Sequence, residues 1–112
     1  MGCIFCDIVN KNIACDKIYE NEYVLAFKDA QPQAPVHFLV VPKKHYNDVE
    51  SVAEDEMKIF ADIFAAINRI AKKLNLKNGF RVVNNCKEQA GQTVNHIHFH
   101  VLSERDMAWP PG

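Results

Sequence analysis

The sequence carries almost no charge of one sign in excess: 13 Lys and Arg face 14 Asp and Glu, for a formal net charge of −1 over 112 residues. A general electrostatic grip on nucleic acid or on an anionic membrane needs a basic surplus, so neither partner is expected. A phosphate site must then be local, made of histidines, backbone N–H groups and hydroxyls. No apolar run is long enough to span a bilayer. The N-terminal apolar stretch is broken by Asp7 and Lys11 and has no secretory h-region, and Met1-Gly2 is followed by Cys6 where a myristoylation signal wants Ser or Thr. A cytoplasmic location is expected. Cysteine is scarce, and Cys3, Cys6, Cys15 and Cys86 in a reducing compartment are thiols or metal ligands, not a disulfide framework. Cys15 and Cys86 stand alone and read as small buried hydrophobes. Repeats and low-complexity tracts are absent. What remains, 48% apolar and 24% charged, is the composition of one small globular domain spanning residues 1–112.

The informative stretch is Gly91-Gln92-Thr93-Val94-Asn95-His96-Ile97-His98-Phe99-His100-Val101-Leu102. Alternation of histidine with apolar residues has the period of a β-strand. It puts His96, His98 and His100 on one face and Ile97, Phe99 and Val101 on the other, toward a core. Same-face neighbours sit about 6.6 Å apart and the outer pair about 13 Å apart. One metal ion with bonds of about 2.0–2.1 Å takes a neighbouring pair but hardly all three. A division of labour among the histidines is expected, against the blander readings of a metal-binding tract or three solvent-facing rings.

Cys3 to Asn10 reads as a short helix or turn, with Ile4, Phe5, Ile8 and Val9 as its apolar patch. Lys17–Glu20, Tyr23–Phe27, His37–Val41 and Phe80–Asn84 are strands, the second half-buried and the third closed by Pro42, which cannot donate to a ladder. Residues 29–35 are a loop. Met57, Phe60, Ile63, Phe64, Ile67, Ile70, Ala71 and Leu74 recur at helical spacing; Ser51 with Glu54 fits a capping box, Lys72 and Lys73 suit the last turn, and Asn78-Gly79 ends the segment. Strands on either side of one long helix predict an α+β fold with an antiparallel sheet.

His96-Ile97-His98-Phe99-His100-Val101-Leu102, with Ala34-Pro35-Val36-His37-Phe38-Leu39-Val40-Val41-Pro42-Lys43-Lys44-His45 upstream and Met107-Ala108-Trp109-Pro110-Pro111-Gly112 at the end, resembles the histidine-triad (HIT) superfamily, in its Hint-like branch. The resemblance implies a HIT fold of about five antiparallel strands, one long helix and a short N-terminal helix, and a homodimer. It implies cleavage of purine nucleoside 5′-phosphoramidates (AMP or GMP amidates) through a nucleotidyl-histidine intermediate, with no catalytic metal required. His98 then matches the nucleophile, His96 and His100 its flanking partners, and His37 the fourth histidine of the relay. Gly91, Gln92 and Thr93 form the phosphate loop, Asn85 matches a phosphate contact, and Asp29 the ribose-binding carboxylate, although Asp29 also suits a plain turn before Pro32. Phe5, Ile8 and Phe27 would sandwich the base, and Trp109 belongs to the tail that shapes the leaving-group side. Two other function classes stay open: a dinucleoside polyphosphate hydrolase, which the Trp-Pro-Pro-Gly ending disfavours, and a non-catalytic nucleotide-binding module.

Two further expectations follow from the resemblance. Some bacterial relatives with this N-terminal Cys-x-x-Cys carry a structural zinc, whose ligands fall here on Cys3, Cys6, His45 and His96; free thiols or a redox pair are the alternatives, the latter without its βαβ setting. The branch usually continues with Leu-Gly-Gly-Arg, but this chain has Leu102-Ser103-Glu104-Arg105. Ser and Glu enter φ > 0 less willingly than Gly, so the turn toward Trp109 is expected to take a different path and to alter substrate preference.

Overall fold

The computed structural model of the protein describes residues 2–112, which leaves Met1 of the Met1-Gly2 start outside. The elements are α1 (Ile4–Val9), β1 (Lys17–Glu20), β2 (Val24–Lys28), β3 (Val36–Pro42), α2 (Lys58–Lys73), β4 (Phe80–Asn84) and β5 (Phe99–Ser103). The five strands form one antiparallel sheet in the order β1-β2-β3-β5-β4.

Alternation along each strand divides the apolar residues between two faces. Val24, Ala26, Phe38, Val40, Phe99 and Val101 pack with Ile59, Ile63, Ala66, Ile67 and Ile70 of α2. Leu25, Phe27, Leu39 and Val41 meet Phe5 and Ile8 of α1 on the opposite face. The strand β2 is thus buried on both faces, not half-buried, because the six-residue α1 covers what would otherwise be the wet side. Each fully buried Ile of α2 contributes about 1.5–3 kcal/mol.

The helix differs from its sequence reading at both ends. Two 3₁₀ turns, Val49–Ser51 and Glu54–Glu56, precede α2, and Asp48 caps the first by accepting from Ser51 N at 2.9 Å, so Ser51 caps nothing. Asn75 ends the helix in the left-handed region at φ 57°, with Leu76 N–H donating to Ala71 O at 3.0 Å, three residues before Asn78-Gly79. Met57, Phe64 and Leu74 point to solvent, with Phe64 44% exposed; the buried stripe is narrower than the apolar count implies.

The histidine stretch shows the largest departure. Strand β5 begins at Phe99, so of the three alternating histidines only His100 lies in it. The register pairs Val40 with Phe99, and its extension would set Pro42 against Ile97. Proline offers no N–H, the ladder stops, and Ile97 N–H turns to Tyr46 O at 2.9 Å. Ile97, Phe99 and Val101 still enter the core as their alternation requires.

At the other end of β5, Ser103 is buried and its hydroxyl donates to Gly79 O at 2.7 Å. Glu104 itself adopts φ 73°, the left-handed region that favours glycine. Left-handed backbone costs an L-residue about 1–2 kcal/mol, partly offset by the greater chain entropy that glycine loses. Glu104→Gly is therefore expected to stabilise the protein by up to about 1 kcal/mol, raising Tm by about 4–8 °C in calorimetry. An unchanged or lower Tm would show that the Glu104 turn carries no strain.

Candidate active site and metal centre

A cavity of about 580 Å³ opens between α1 and the sheet. Ile4, Phe5, Ile8, Phe27 and Leu39 make its apolar walls, and Asp29, Thr93, His98 and His100 bring polar groups to it. Its size is that of a small-molecule site. Around it the five histidines sit in a connected arrangement, and the hydrogen-bond partners of each ring fix where its proton lies.

His98 is buried at the cavity, with Nδ1 2.8 Å from the carbonyl oxygen of His96. A carbonyl only accepts, so Nδ1 carries the proton and Nε2 keeps its lone pair. Phe5 meets the ring edge-on at 5.0 Å, and Asn84 Nδ2 donates to His98 O at 3.1 Å. The result is an imidazole with one nitrogen tied and the other facing the cavity.

His37 and His100 form the second unit. Gln33 N–H donates to His37 Nδ1 at 3.0 Å, which puts the His37 proton on Nε2. That atom lies 2.9 Å from His100 Nδ1 and 3.3 Å from Asp29 Oδ2, while Asp29 Oδ1 accepts from Gln31 N–H at 2.8 Å. His100 accepts at Nδ1 and therefore carries its own proton on Nε2. Arg105 Nε donates to Gln33 O at 2.9 Å and steadies the loop that starts this chain. Burial lowers the His37 pKa, with the Asp29 charge pulling it partly back. Burial, with His98 and His37 alongside, lowers His100 to about 4.

His96 departs from the row expected of it. Its ring is fully buried, turned away from the cavity, with Nε2 2.8 Å from Pro42 O. The Nε2 proton goes to that carbonyl, leaving the Nδ1 lone pair 3.4 Å from Cys3 Sγ, 3.5 Å from Cys6 Sγ and 3.2 Å from His45 Nδ1. His45 is arranged alike: Nε2 lies 2.8 Å from Asn47 Oδ1, and Nδ1 lies 3.2 Å from Cys6 Sγ. Two unprotonated nitrogens and two sulfurs thus converge, a donor set able to hold a metal ion. In its metal-free form the Cys6 thiol is pushed up to about 11 by burial and by Cys3.

Asp29, His37 and His100 also converge, yet they are arranged differently. Gln33 N–H forces the His37 proton onto the nitrogen that faces the cluster, so that nitrogen has no lone pair to give. The first group could hold a cation, whereas the second already holds a proton between its members.

The remaining expected residues divide. Thr93 lines the cavity, and Gly91, at φ 97°, lies against the Asn85 side chain, 3.8 Å from where a Cβ would sit. The Gln92 amide is committed within the loop: Oε1 accepts from Lys87 N–H at 2.7 Å and Nε2 donates to Asn47 O and Val94 O. Trp109 is 82% exposed and does not line this cavity. Cys15 does line it, where its isolation in the sequence predicts only a packing role. Asn84, Asn47 and Gln33 were not visible as site residues; of these only Asn47, two residues after His45, offered a signal, as a carbonyl oxygen near a ligand.

Residues 10–107 match the HIT domain. A histidine triad protein from Clostridium difficile is 47% identical with a TM-score of 0.94, covering 96% of this chain and 95% of that one. A HIT family hydrolase from Legionella pneumophila is 39% identical with a TM-score of 0.96 over 99% and 100%. A histidine triad nucleotide-binding protein from Candida albicans is 30% identical with a TM-score of 0.86 over 97% and 83%.

The lowered His100 pKa has a direct consequence for stability. Between the ordinary value of 6.5 and about 4, the unfolded chain holds a proton at this histidine that the folded one does not. Stability therefore falls as pH drops through that window, by up to about 1.4 kcal/mol per pH unit from this group. Denaturant unfolding at several pH values is expected to show this slope in the native protein and a shallower one in His100→Asn. Equal slopes would mean that His100 is not held neutral by the fold.

Proposed function

The chain belongs to the HIT family, and from that premise we propose that it is a nucleotide-binding hydrolase that cleaves purine nucleoside 5′-phosphoramidates, amidates of AMP or GMP, through a nucleotidyl–His98 intermediate. The observation that carries this reading is His98 itself: a buried imidazole at a nucleotide-sized cavity, its Nδ1 proton tied to His96 O and its Nε2 left to attack. The hydrolase from Legionella pneumophila and the nucleotide-binding protein from Candida albicans share the fold and support the same class.

In the proposed reaction the base lies among Ile4, Phe5, Ile8, Phe27 and Leu39, with the ribose hydroxyls toward the free lone pairs of Asp29. Nε2 of His98 attacks phosphorus and the bond from phosphorus to the amine breaks. Charge on the phosphate oxygens is stabilised by the Thr93 hydroxyl, backbone N–H groups near Gly91 and the Asn85 amide. The incoming phosphate charge raises the His100 pKa, so this ring takes up a proton at Nδ1 as substrate binds, with the His37 Nε2–H turning to Asp29 Oδ2, and gives its Nε2 proton to the leaving amine. Water then attacks phosphorus and gives its proton to His100 Nε2, the His98–phosphorus bond breaks, and nucleoside monophosphate is released. Positioning and electrostatics supply the acceleration, with no metal in the reaction path.

We assign a structural zinc to Cys3, Cys6, His45 and His96. A zinc tetrahedron with bonds of about 2.3 Å to sulfur and about 2.0–2.1 Å to nitrogen has edges of about 3.3 Å between nitrogens and about 3.6 Å from nitrogen to sulfur. The contacts here, 3.2 Å and 3.2–3.5 Å, fit that figure. A cytoplasmic homodimer is part of the same reading. Edge strand β4 leaves one row of backbone groups unpaired, and Phe64 and Phe80 are exposed; Trp109 would serve the site only within such a dimer. Native mass spectrometry is expected to give twice the chain mass with two zinc ions. A zinc-free monomer would remove both assignments.

His98→Asn is expected to keep nucleotide binding in a thermal-shift assay and to lose turnover of adenosine or guanosine 5′-phosphoramidate by several orders of magnitude. The native enzyme, quenched during turnover, is expected to carry a nucleotide adduct labile to acid and stable to base. Retention of more than about a tenth of native turnover, about 1.4 kcal/mol of barrier, would exclude His98 as nucleophile. Binding of nucleoside monophosphates with no turnover by the native protein would favour the binding-module reading instead.

A further inference from the structure

We propose that Arg105 is a positioning residue for the leaving-group proton: by holding the Gln33 carbonyl it fixes the tautomer of His37 and, through it, the nitrogen of His100 that carries a proton. The reaction it serves is the one proposed above. The tie forms where the sheet ends. Strand β3 pairs with β5 from Val36 opposite Ser103, and one step further Pro35 would stand against Glu104. Proline has no N–H to give, so the ladder stops at this end as well. Glu104 turns the chain at φ 73°, and Arg105 reaches the loop that enters β3, donating from Nε to Gln33 O at 2.9 Å.

Both backbone groups of Gln33 are then engaged, the N–H by His37 Nδ1 at 3.0 Å and the carbonyl by Arg105. Its side-chain Nε2 donates to Gln31 O at 3.0 Å, and Gln31 N–H donates to Asp29 Oδ1 at 2.8 Å. All of these bonds except the one from Arg105 stay within residues 29–37. Among the described residues Arg105 alone ties Gln33 to another part of the chain. The stretch from Ala30 to Gln33 is exposed, so water competes for each local bond and the outside anchor matters. Arg105 does not line the cavity, and among the described residues it joins no ion pair. Its bond to Gln33 O therefore acts on the site only through His37.

An N–H can meet only an unprotonated Nδ1. While Gln33 is held, His37 keeps its proton on Nε2 and presents it to His100 Nδ1 at 2.9 Å. A donor at that position favours the His100 form with its proton on Nε2, and makes the charged ring a stronger acid. If Gln33 turns away, the His37 proton can move to Nδ1. His37 Nε2 then accepts from His100 Nδ1, which stabilises the charged His100 ring and weakens it as a donor to the leaving amine. Burial, opposed by Asp29 and aided by the Arg105 charge, disfavours a second proton on His37, so the choice between its two nitrogens is a real one. His98 supplies an internal control, because its proton is set by His96 O and not by this loop.

The test compares full-length native protein with Arg105→Met and Arg105→Gln, each labelled with ¹⁵N at histidine and held at neutral pH. Methionine removes both the donor and the charge. Glutamine removes only the charge, because its Nε2 stands as many bonds from Cα as the Nε of arginine. Long-range proton–nitrogen spectra distinguish the two tautomers. In the native protein and in Arg105→Gln, His37 and His100 are expected in the Nε2–H form alone. In Arg105→Met they are expected as mixtures of tautomers, with His98 unchanged in all three proteins. In kinetics, Arg105→Met is expected to lower kcat on an alkylamine amidate by about tenfold with little effect on KM, and Arg105→Gln to stay within about threefold of native. The loss is expected to shrink on the amidate of a weakly basic arylamine, which needs less help from an acid. A single native-like tautomer of His37 in Arg105→Met would overturn the proposal. So would Arg105→Gln behaving like Arg105→Met, or an equal loss on both amidates, since the bond to Gln33 O would then not act through the proton. The tautomer measurement needs no substrate, so it decides the role of Arg105 even if the native protein turns over no amidate, which would instead defeat the proposed function.

Discussion

A neutral imidazole has one proton for two nitrogens, and this constraint organises the whole site. Each of the five histidines has that choice made by a neighbour: His96 O for His98, Pro42 O for His96, Asn47 Oδ1 for His45, Gln33 N–H for His37, and His37 in turn for His100. Most of the deciding groups belong to the main chain, whose donors and acceptors cannot exchange roles. Five chemically identical side chains thereby acquire three different hydrogen-bonding arrangements.

The fold supplies these deciding groups through one local defect. Where β3 reaches Pro42 the ladder to β5 cannot continue, and the segment before Phe99 leaves the sheet. That departure frees the Pro42 carbonyl to receive His96 and turns the His96 carbonyl toward His98. A regular strand through His96 would have placed all three rings in a row and left the N-terminal cysteines with the His45 nitrogen alone. Burial on both faces of the central strands holds the defect in place, since Ile97 and Phe99 remain in one core while Leu39 and Val41 remain in the other.

Two clusters of similar composition consequently differ in kind. At Cys3, Cys6, His45 and His96 the outer hydrogen bonds strip protons from the converging nitrogens, which face one another at 3.2 Å and call for a cation. At Asp29, His37 and His100 they place a proton at the centre. Counting ligand types would not tell the two apart; the direction of one backbone N–H does.

The sequence by itself determined the elements and the cast of residues. Lys17–Glu20 and Phe80–Asn84 stand where their β-branched and aromatic content predicted, the alternation at Ile97, Phe99 and Val101 marked the core side, and the resemblance brought His98, Asp29, Thr93 and the four metal-site residues onto one list. Alternation alone could not reveal that the strand would fail before Phe99, because that depends on Pro42, more than fifty residues away in the chain and opposite Ile97 only once the register is set. Nor could it assign the protons. Backbone carbonyls and N–H groups are the same at every residue, so nothing in the order of side chains marks Pro42 O or Gln33 N–H as special. The setting of Gln92 was hidden for a related reason: its amide bonds within the loop because three backbone partners surround it. Residue identity gave the chemistry available; only the packed chain decided which nitrogen carries a proton, and hence which ring faces the cavity, which rings bond to each other and which converge with the cysteines.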